Sequence, residues 1–363
     1  MSLKHIPLND LHIALGAKMV DFAGFYMPLR YTSEREEHLA VRQSVGIFDV
    51  SHMGEFFIKG EKALDLLQYV VSNDVATLPV GKAQYAYMPN DVGGIVDDLL
   101  IYHLAEKEYM MVVNAANIDK DWQWINHYNT FGAELENASD KICLFAVQGP
   151  KAAETLQKLT SYNLIEMPYY AVRRIPLAGL ENVIVASTGY TKKGSGSFEV
   201  FVPNEYAREV WEKIFEAGKE FNIKPAGLGA RDTLRLEMGY CLYGNEINDY
   251  TSPFEANLGW VTKFTKKFVN SENLLKAKEQ GVKRKLVALE MIEKGIPRSH
   301  YEIYSLNQER IGEVTSGSIS PVLNVGICLG YVPKEFAEID TQVYIKIRDS
   351  FAKAKVVKLP FVK

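Results

Sequence analysis

Apolar and polar positions alternate along this chain in patterns that switch repeatedly between helical and extended periods. Ser33-Glu34-Arg35-Glu36 has the form of a capping box, and Leu39, Val41 and Val45 after it predict a helix over about 33–45, with Gly46 placed to end it. Residues 47–58 alternate closely enough to predict one strand, and 63–70 has helical spacing. Between 85 and 114, apolar runs are separated by Asn90-Asp91-Val92-Gly93-Gly94 and Glu106-Lys107-Glu108, as in antiparallel strands. Further helices are expected at about 118–130, 150–160 and 204–221, and strands at about 142–148, 182–189 and 198–202. This is a mixed α+β pattern without the regular alternation of a doubly wound sheet. No repeat or low-complexity tract is visible.

Past Trp260 the pattern changes. Residues 263–285 carry eight basic side chains against two acidic ones, Glu272 and Glu279, and read as a linker helix with a charged face. Short apolar runs follow at 286–291, 311–315, 325–331, 343–347 and 355–359, with Gly, Pro or Asn between them, predicting a small β-barrel or sandwich of about 80 residues.

Length and composition narrow the function. The chain has 363 residues, with 47% hydrophobic and 24% charged, which is ordinary for a globular protein of two to three domains. No apolar run is long enough to span a membrane, and Met1-Ser2-Leu3-Lys4-His5-Ile6-Pro7 lacks a signal-peptide core, so a cytoplasmic protein is expected. Cys143, Cys241 and Cys328 are far apart and flanked by apolar residues, which suits buried thiols and offers neither a disulfide framework nor a zinc cluster. Forty-one basic against 45 acidic residues give a net charge of −4, which argues against binding to a nucleic-acid backbone. The seven histidines are scattered, and no metal is expected.

Gly227-Leu228-Gly229-Ala230-Arg231-Asp232 begins like a dinucleotide fingerprint, but Asp232 stands at the third glycine position and no clear strand precedes it. A sharper anomaly is Gly93-Gly94-Ile95-Val96-Asp97-Asp98-Leu99-Leu100-Ile101-Tyr102, where two carboxylates interrupt an apolar strand. Period-two geometry sends Asp97 to the face of Ile95 and Leu99, and Asp98 to that of Val96, Leu100 and Tyr102. A carboxylate in apolar surroundings raises its pKa, finds a cation or collects hydrogen bonds, and each outcome suits a cationic or proton-releasing substrate; a structural ion pair would leave the same pattern. Glu199 alternates with Phe198 and Val200 on a hairpin-like strand after Ser187-Thr188-Gly189-Tyr190-Thr191, and faces either a pocket or solvent. Helical spacing sets Arg231 beside Leu234, Arg235 and Met238, as a ligand contact or as half of a structural ion pair. The glycines before it allow close approach by a ligand or another backbone.

Eight segments, in order along nearly the whole chain, together resemble the glycine cleavage system T-protein family, the tetrahydrofolate-dependent aminomethyltransferases. They are Gly16-Ala17-Lys18-Met19-Val20-Asp21-Phe22-Ala23-Gly24-Phe25, Phe48-Asp49-Val50-Ser51-His52-Met53-Gly54, the Gly93–Leu99 stretch, Val113-Asn114-Ala115-Ala116-Asn117, Gln148-Gly149-Pro150, Gly189-Tyr190-Thr191, the 229–237 stretch and Leu242-Tyr243-Gly244-Asn245. The resemblance implies a three-domain α+β cloverleaf around a central folate-binding hole, with a C-terminal β-barrel domain. The corresponding division is 1–262, built of two interleaved subdomains (1–50 with 140–250, and 51–139), then a basic linker at 263–285 and the barrel at 286–363. It further implies transfer of an aminomethyl group from the lipoylated H-protein to tetrahydrofolate with release of ammonia, and no part for nucleic acid or membrane. Carried over by position, Asp98 matches the catalytic carboxylate. Glu199 and Arg231 match folate contacts, with Met53, Tyr85, Val112, Asn114, Tyr169, Tyr190, Tyr240 and Trp260 lining the pocket. A poorly solvated anion would stabilise an iminium-like carbon and accept the proton leaving a folate nitrogen, and flat rings suit a pterin.

The chain departs from the family pattern after Gly189-Tyr190-Thr191, where Lys192-Lys193-Gly194-Ser195-Gly196-Ser197 is two residues longer and exchanges two acids for lysines, and it stops at Pro360-Phe361-Val362-Lys363 where many relatives run on. Two other readings share the fold: a folate-binding iron–sulfur assembly factor, whose Lys-Gly-Cys-Tyr-x-Gly-Gln-Glu segment is replaced by Met238-Gly239-Tyr240-Cys241-Leu242-Tyr243-Gly244-Asn245, and a folate-dependent demethylase of a small methylated compound.

Overall fold

The computed structural model describes residues 2–191 and 196–363. The capping box forms the helix Glu34–Gln43, with Ser33 Oγ accepting the Glu36 N–H at 3.2 Å. Ser44 rather than Gly46 ends it, and Gly46 already opens a strand, packed so that a Cβ would lie 2.5 Å from Val41.

The single strand expected over 47–58 is two strands, Gly46–Asp49 and Gly54–Lys59, in different sheets. Asp49 accepts from both the N–H (3.0 Å) and the hydroxyl of Ser51, and Met53 N–H bonds Val50 O at 3.0 Å, so local hydrogen bonds turn the chain where alternation alone would carry it on. Gly46–Asp49 belongs to a six-stranded sheet ordered Val172–Leu177, Leu180–Ala186, Phe198–Pro203, Ile142–Gln148, Gly46–Asp49, Lys224–Pro225. Gly54–Lys59 lies in a five-stranded sheet ordered Ala83–Pro89, Ile95–Ala105, Glu108–Val113, Gly54–Lys59, Glu134–Asn137. Lys18–Phe22 and Phe25–Arg30 form an unexpected hairpin, extended by Lys4–His5.

By compactness the chain falls into two units, 1–70 with 74–86 and 99–232, and 71–73 with 87–98 and 233–363. The division falls inside two strands of the five-stranded sheet and inside the helix Leu228–Met238. The first unit packs the helices Ala152–Gln157 and Ala207–Gly218 on the six-stranded sheet, burying Trp211 against Phe145 with ring centroids 5.3 Å apart.

The second unit holds a closed six-stranded barrel ordered Arg284–Met291, Gly326–Pro333, Arg310–Ile319, Glu302–Tyr304, Gln342–Ile347, Ser350–Val357. Alternate residues fill it, among them Leu289, Val314, Cys328, Val343, Ile345 and Ala354, as strand periodicity requires. The five apolar runs foreseen there are strands, and Glu302–Tyr304, three residues long, is the sixth. Of the basic segment 263–285, only Ser271–Gln280 is helical. Among the described residues no helix is long and apolar enough to cross a membrane.

Candidate active site

In the first unit, three predicted residues converge from distant parts of the chain. Met53 closes the turn at 50–53. Below it Asp49 is buried and held at 2.9 Å by Nε2 of His12, whose Nδ1 meets the Tyr31 hydroxyl at 2.9 Å. Arg231 sits in the first turn of Leu228–Met238. The approach to that helix is set by Gly227, where a Cβ would lie 2.3 Å from Leu29 O, and by the Gly227 N–H, which donates to Glu37 Oε2 at 2.8 Å. Of the two approaches its glycine allows, the structure therefore has that of another backbone. Tyr190 is placed by Gln148, whose Oε1 accepts the Tyr190 N–H at 3.1 Å while its Nε2 donates to Thr188 O and Phe198 O. Gly189 leaves room for that amide, since a Cβ there would collide with it.

The Arg231 guanidinium lies over the Tyr190 ring, 4.4 Å from its centroid, donates from Nη2 to the Tyr190 hydroxyl, and has Met53 Sδ at 3.9 Å. Among the described residues no carboxylate pairs with it, and its Nε is buried with no hydrogen-bond partner. The ion-paired arginine of this helix is instead Arg235, in the second unit, which is 5% exposed and donates to Glu246 (2.8 Å), Ser316 Oγ (2.8 Å) and Tyr240 O (3.1 Å).

Glu199 is buried in the interior of the six-stranded sheet, in register with Ala146 on one side and Ala186 on the other, so the solvent-facing alternative does not hold. One of its oxygens, Oε2, accepts from Tyr102 Oη at 2.8 Å and from Thr188 Oγ1. Burial, and then the Glu199 charge, push the Tyr102 phenol well above its ordinary range, so it stays a donor. Glu55 is fully buried with both carboxyl oxygens unpartnered among the described residues, and burial followed by Glu199 drives its pKa well above the ordinary carboxyl value. Tyr102, Thr188, Glu55 and His52 were not picked out as site residues. The Ser-Thr-Gly-Tyr-Thr run and the placement of Tyr102 in the Asp-Asp strand were the available signals.

Val112 stands between Leu100 and Glu55 in the five-stranded sheet, and Asn114 follows the end of its strand. Tyr85 is half-buried on Ala83–Pro89, and Tyr169 packs on Tyr170 with ring centroids 4.7 Å apart.

In the second unit, Asp97 is fully buried and Asp98 half-buried at the start of Ile95–Ala105. The Tyr243 hydroxyl donates to Ile95 O at 3.1 Å. Burial, then the Glu246 and Asp98 charges, raise the pKa of the Cys241 thiol above its ordinary range. Tyr240 is 38% exposed and Trp260 63%. A cleft of about 980 Å³ in this unit is lined by Glu246, Arg284, Arg310, Glu313, Thr315 and Tyr331 among others, and none of the predicted site residues lines it. Lys192 and Lys193, of the loop that departs from the family pattern, lie outside the described residues.

The arrangement of the first unit can present a stacked guanidinium and a buried carboxylate to a planar, hydrogen-bonding ligand. Comparisons with known proteins agree with the sequence resemblance. A family model described as the GCVT N-terminal domain matches residues 8–266, and the glycine cleavage T-protein C-terminal barrel domain matches 284–363. The aminomethyltransferase of Flavobacterium psychrophilum is 58% identical over 361 residues, covering 99% of this chain and all of that protein. That of Phocaeicola vulgatus is 56% identical over 363 residues with similar coverage. The crystal structure of glycine cleavage system aminomethyltransferase T from Bartonella henselae superposes with a TM-score of 0.92 at 33% identity, covering 99% of this chain and 98% of that one. With both family models matched in order and full-length relatives above half identity, the chain belongs to the glycine cleavage T-protein family of aminomethyltransferases.

Proposed function

We propose that this enzyme takes the aminomethyl group carried on the lipoyl arm of the glycine cleavage H-protein and passes its carbon to tetrahydrofolate. The products are 5,10-methylenetetrahydrofolate, ammonia and dihydrolipoyl H-protein. The observation that carries the reading is the setting of Arg231: stacked on Tyr190, beside Met53, not neutralised by a described carboxylate, and with a buried N–H to spare. A half-buried cation with a buried N–H and no counter-ion among the described residues is costly, and an acceptor on a bound ligand offsets that cost. Folate has such acceptors in its pterin oxygen and its carboxylates, and a flat ring system that suits tyrosine faces. Glu199 keeps one oxygen occupied by Tyr102 and Thr188, so its other oxygen suits the N–H donors of a pterin edge.

By the motif matches, Asp98 is the catalytic carboxylate, Met53, Tyr85, Val112, Asn114, Tyr169 and Tyr190 line the folate pocket, and Tyr240 and Trp260 add further ring contacts. The negative charge of Asp98 would stabilise the cationic one-carbon unit as the carbon–sulfur or carbon–nitrogen bond breaks, and take up the proton released by folate nitrogen. On the same reading 1–262 is the folate-binding region, 263–285 a linker and 286–363 the barrel domain. The three free cysteines suit a cytoplasmic, reducing setting.

Ammonia release from aminomethylated H-protein, with and without tetrahydrofolate, tests the proposal. Strong stimulation by folate is expected. Equal release in both arms would overturn it, and folate-stimulated turnover of a free methylated amine without H-protein would replace it with the demethylase reading.

A further inference from the structure

His52 is a buried polar side chain of the first unit that the site described above does not use. It is 1% exposed, and neither ring nitrogen has a hydrogen-bond partner among the described residues. Phe22 and Phe25 meet its ring edge-on, at centroid distances of 5.6 and 6.3 Å. An imidazole in such surroundings costs stability unless something uses it, because burial removes its water without returning a partner. The next residue, Met53, touches Arg231 through sulfur at 3.9 Å, and the Arg231 Nε–H is a buried donor that also lacks an acceptor. A neutral imidazole has one lone pair to give, whereas a charged one beside a guanidinium would have none. Burial, then the Arg231 charge, lower the His52 pKa to about 3, so the ring is neutral at physiological pH and lies within Coulombic reach of the arginine.

We infer that His52 is a positioning residue for Arg231: its imidazole nitrogen accepts the buried Nε–H when substrate engages the terminal nitrogens, fixing the guanidinium plane over Tyr190. Nη2 is already committed to the Tyr190 hydroxyl and Met53, so Nε is the hinge about which the fork can still turn. An acceptor at Nε removes that freedom once folate is engaged, and support of this kind for the bound geometry appears in affinity rather than in the chemical step. This role rests on the assignment of Arg231 as a folate contact.

The test compares His52→Leu, His52→Gln and Arg231→Ala in the full chain, measuring tetrahydrofolate affinity by calorimetry, kcat at saturating folate, and thermal stability. His52→Leu is expected to weaken folate binding about tenfold with kcat within about twofold and a melting temperature no lower than the parent's, since an apolar group replaces an unpartnered polar one. His52→Gln, which retains an acceptor, is expected to stay within about threefold of the parent. In an Arg231→Ala background the His52→Leu effect should shrink below about twofold, the sign of coupling between the two sites. A purely structural histidine would change stability and leave folate affinity alone, and that result overturns the inference. So does equal loss of affinity in the Leu and Gln variants. Parent-like affinity in Arg231→Ala would instead remove the assignment of Arg231 itself. Should the Leu variant not fold, hydrogen exchange of the Arg231 Nε–H in the parent decides: slowing on addition of tetrahydrofolate is expected, and unchanged exchange overturns the role.

Discussion

Arg231 and Tyr190, 41 positions apart, are joined twice: the guanidinium lies 4.4 Å from the ring centroid and also hydrogen-bonds the hydroxyl of the same ring. Two kinds of contact therefore report on one pair. Tyr190→Phe keeps the stacking and loses the hydrogen bond, which should weaken folate binding about 3- to 10-fold. Arg231→Ala should cost about 10- to 100-fold, and Arg231→Lys should not restore it, because an ammonium cannot present a planar fork. Calorimetric titration with tetrahydrofolate measures all three, and a fully active Lys variant would show that only the charge matters.

Asp97 and Asp98 are neighbours with different surroundings, the first fully buried and the second half-buried. Asp98→Asn is expected to lower kcat by at least about a hundredfold while folate still binds, as for loss of a group that acts on charge developing during reaction. Asp97→Asn should act through stability, by about 1–3 kcal/mol, with near-parent turnover in the folded fraction. Single-turnover ammonia release and chemical denaturation separate the two, and exchanged phenotypes would reverse the assignment.

Glu55 gives a pH signature. Its pKa in the folded protein is raised well above 4.5 by burial and by Glu199, whereas the unfolded chain ionises near the ordinary value. Above that value the unfolded state releases a proton that the folded state retains, so raising the pH from about 5 through the folded pKa removes stability. Glu55→Gln abolishes this linkage. The variant should melt above the parent at neutral pH, with a gap that widens from about pH 5 to pH 8. A constant gap would mean that Glu55 is ionised in the fold.

The basic segment offers a separate test of partner encounter. Lys263, Lys267, Lys276 and Lys283 are exposed, a local positive surface on a chain whose net charge is −4, and such a surface would steer a negatively charged partner. Replacing all four with Gln should raise the apparent KM for H-protein, leave folate affinity unchanged and flatten the dependence on ionic strength. An unaltered salt dependence would place docking elsewhere.

What periodicity could reveal here was set by how far each element's reasons for forming are local. The helix after Ser33 announces itself because its cap is a contact between residues three apart, and the barrel strands because each is apolar on one face. The break at 50–53 was hidden, since Asp49 and Ser51 fit the alternation of a strand and make the turn only through local bonds, from the Ser51 N–H and hydroxyl to the Asp49 carboxylate and from the Met53 N–H to Val50 O. Glu302–Tyr304 was too short to show a period. Chemistry-bearing types in apolar runs mark Asp97, Asp98, Glu199 and Arg231 as candidates. His52 and Glu55, which lack hydrogen-bond partners among the described residues, carry no signal of this in periodicity or composition, because an unmet hydrogen bond is a property of the packed surroundings.

Glu37 has a consequence for the order in which the chain takes shape. Its Oε1 accepts from Tyr31 N–H (2.6 Å) and Thr32 N–H (2.8 Å), and its Oε2 from Gly227 N–H across 190 positions. During synthesis the first two bonds can form early, but the third waits until residue 227 has left the ribosome. Until then a carboxylate destined for the interior keeps one oxygen in water, and the corner that sets the approach to the Arg231 helix stays open. The corner around Glu37 thus closes late, and a nascent chain cut before Gly227 should expose it to protease while strands of the six-stranded sheet, such as Ile142–Gln148 with Phe198–Pro203, are already paired.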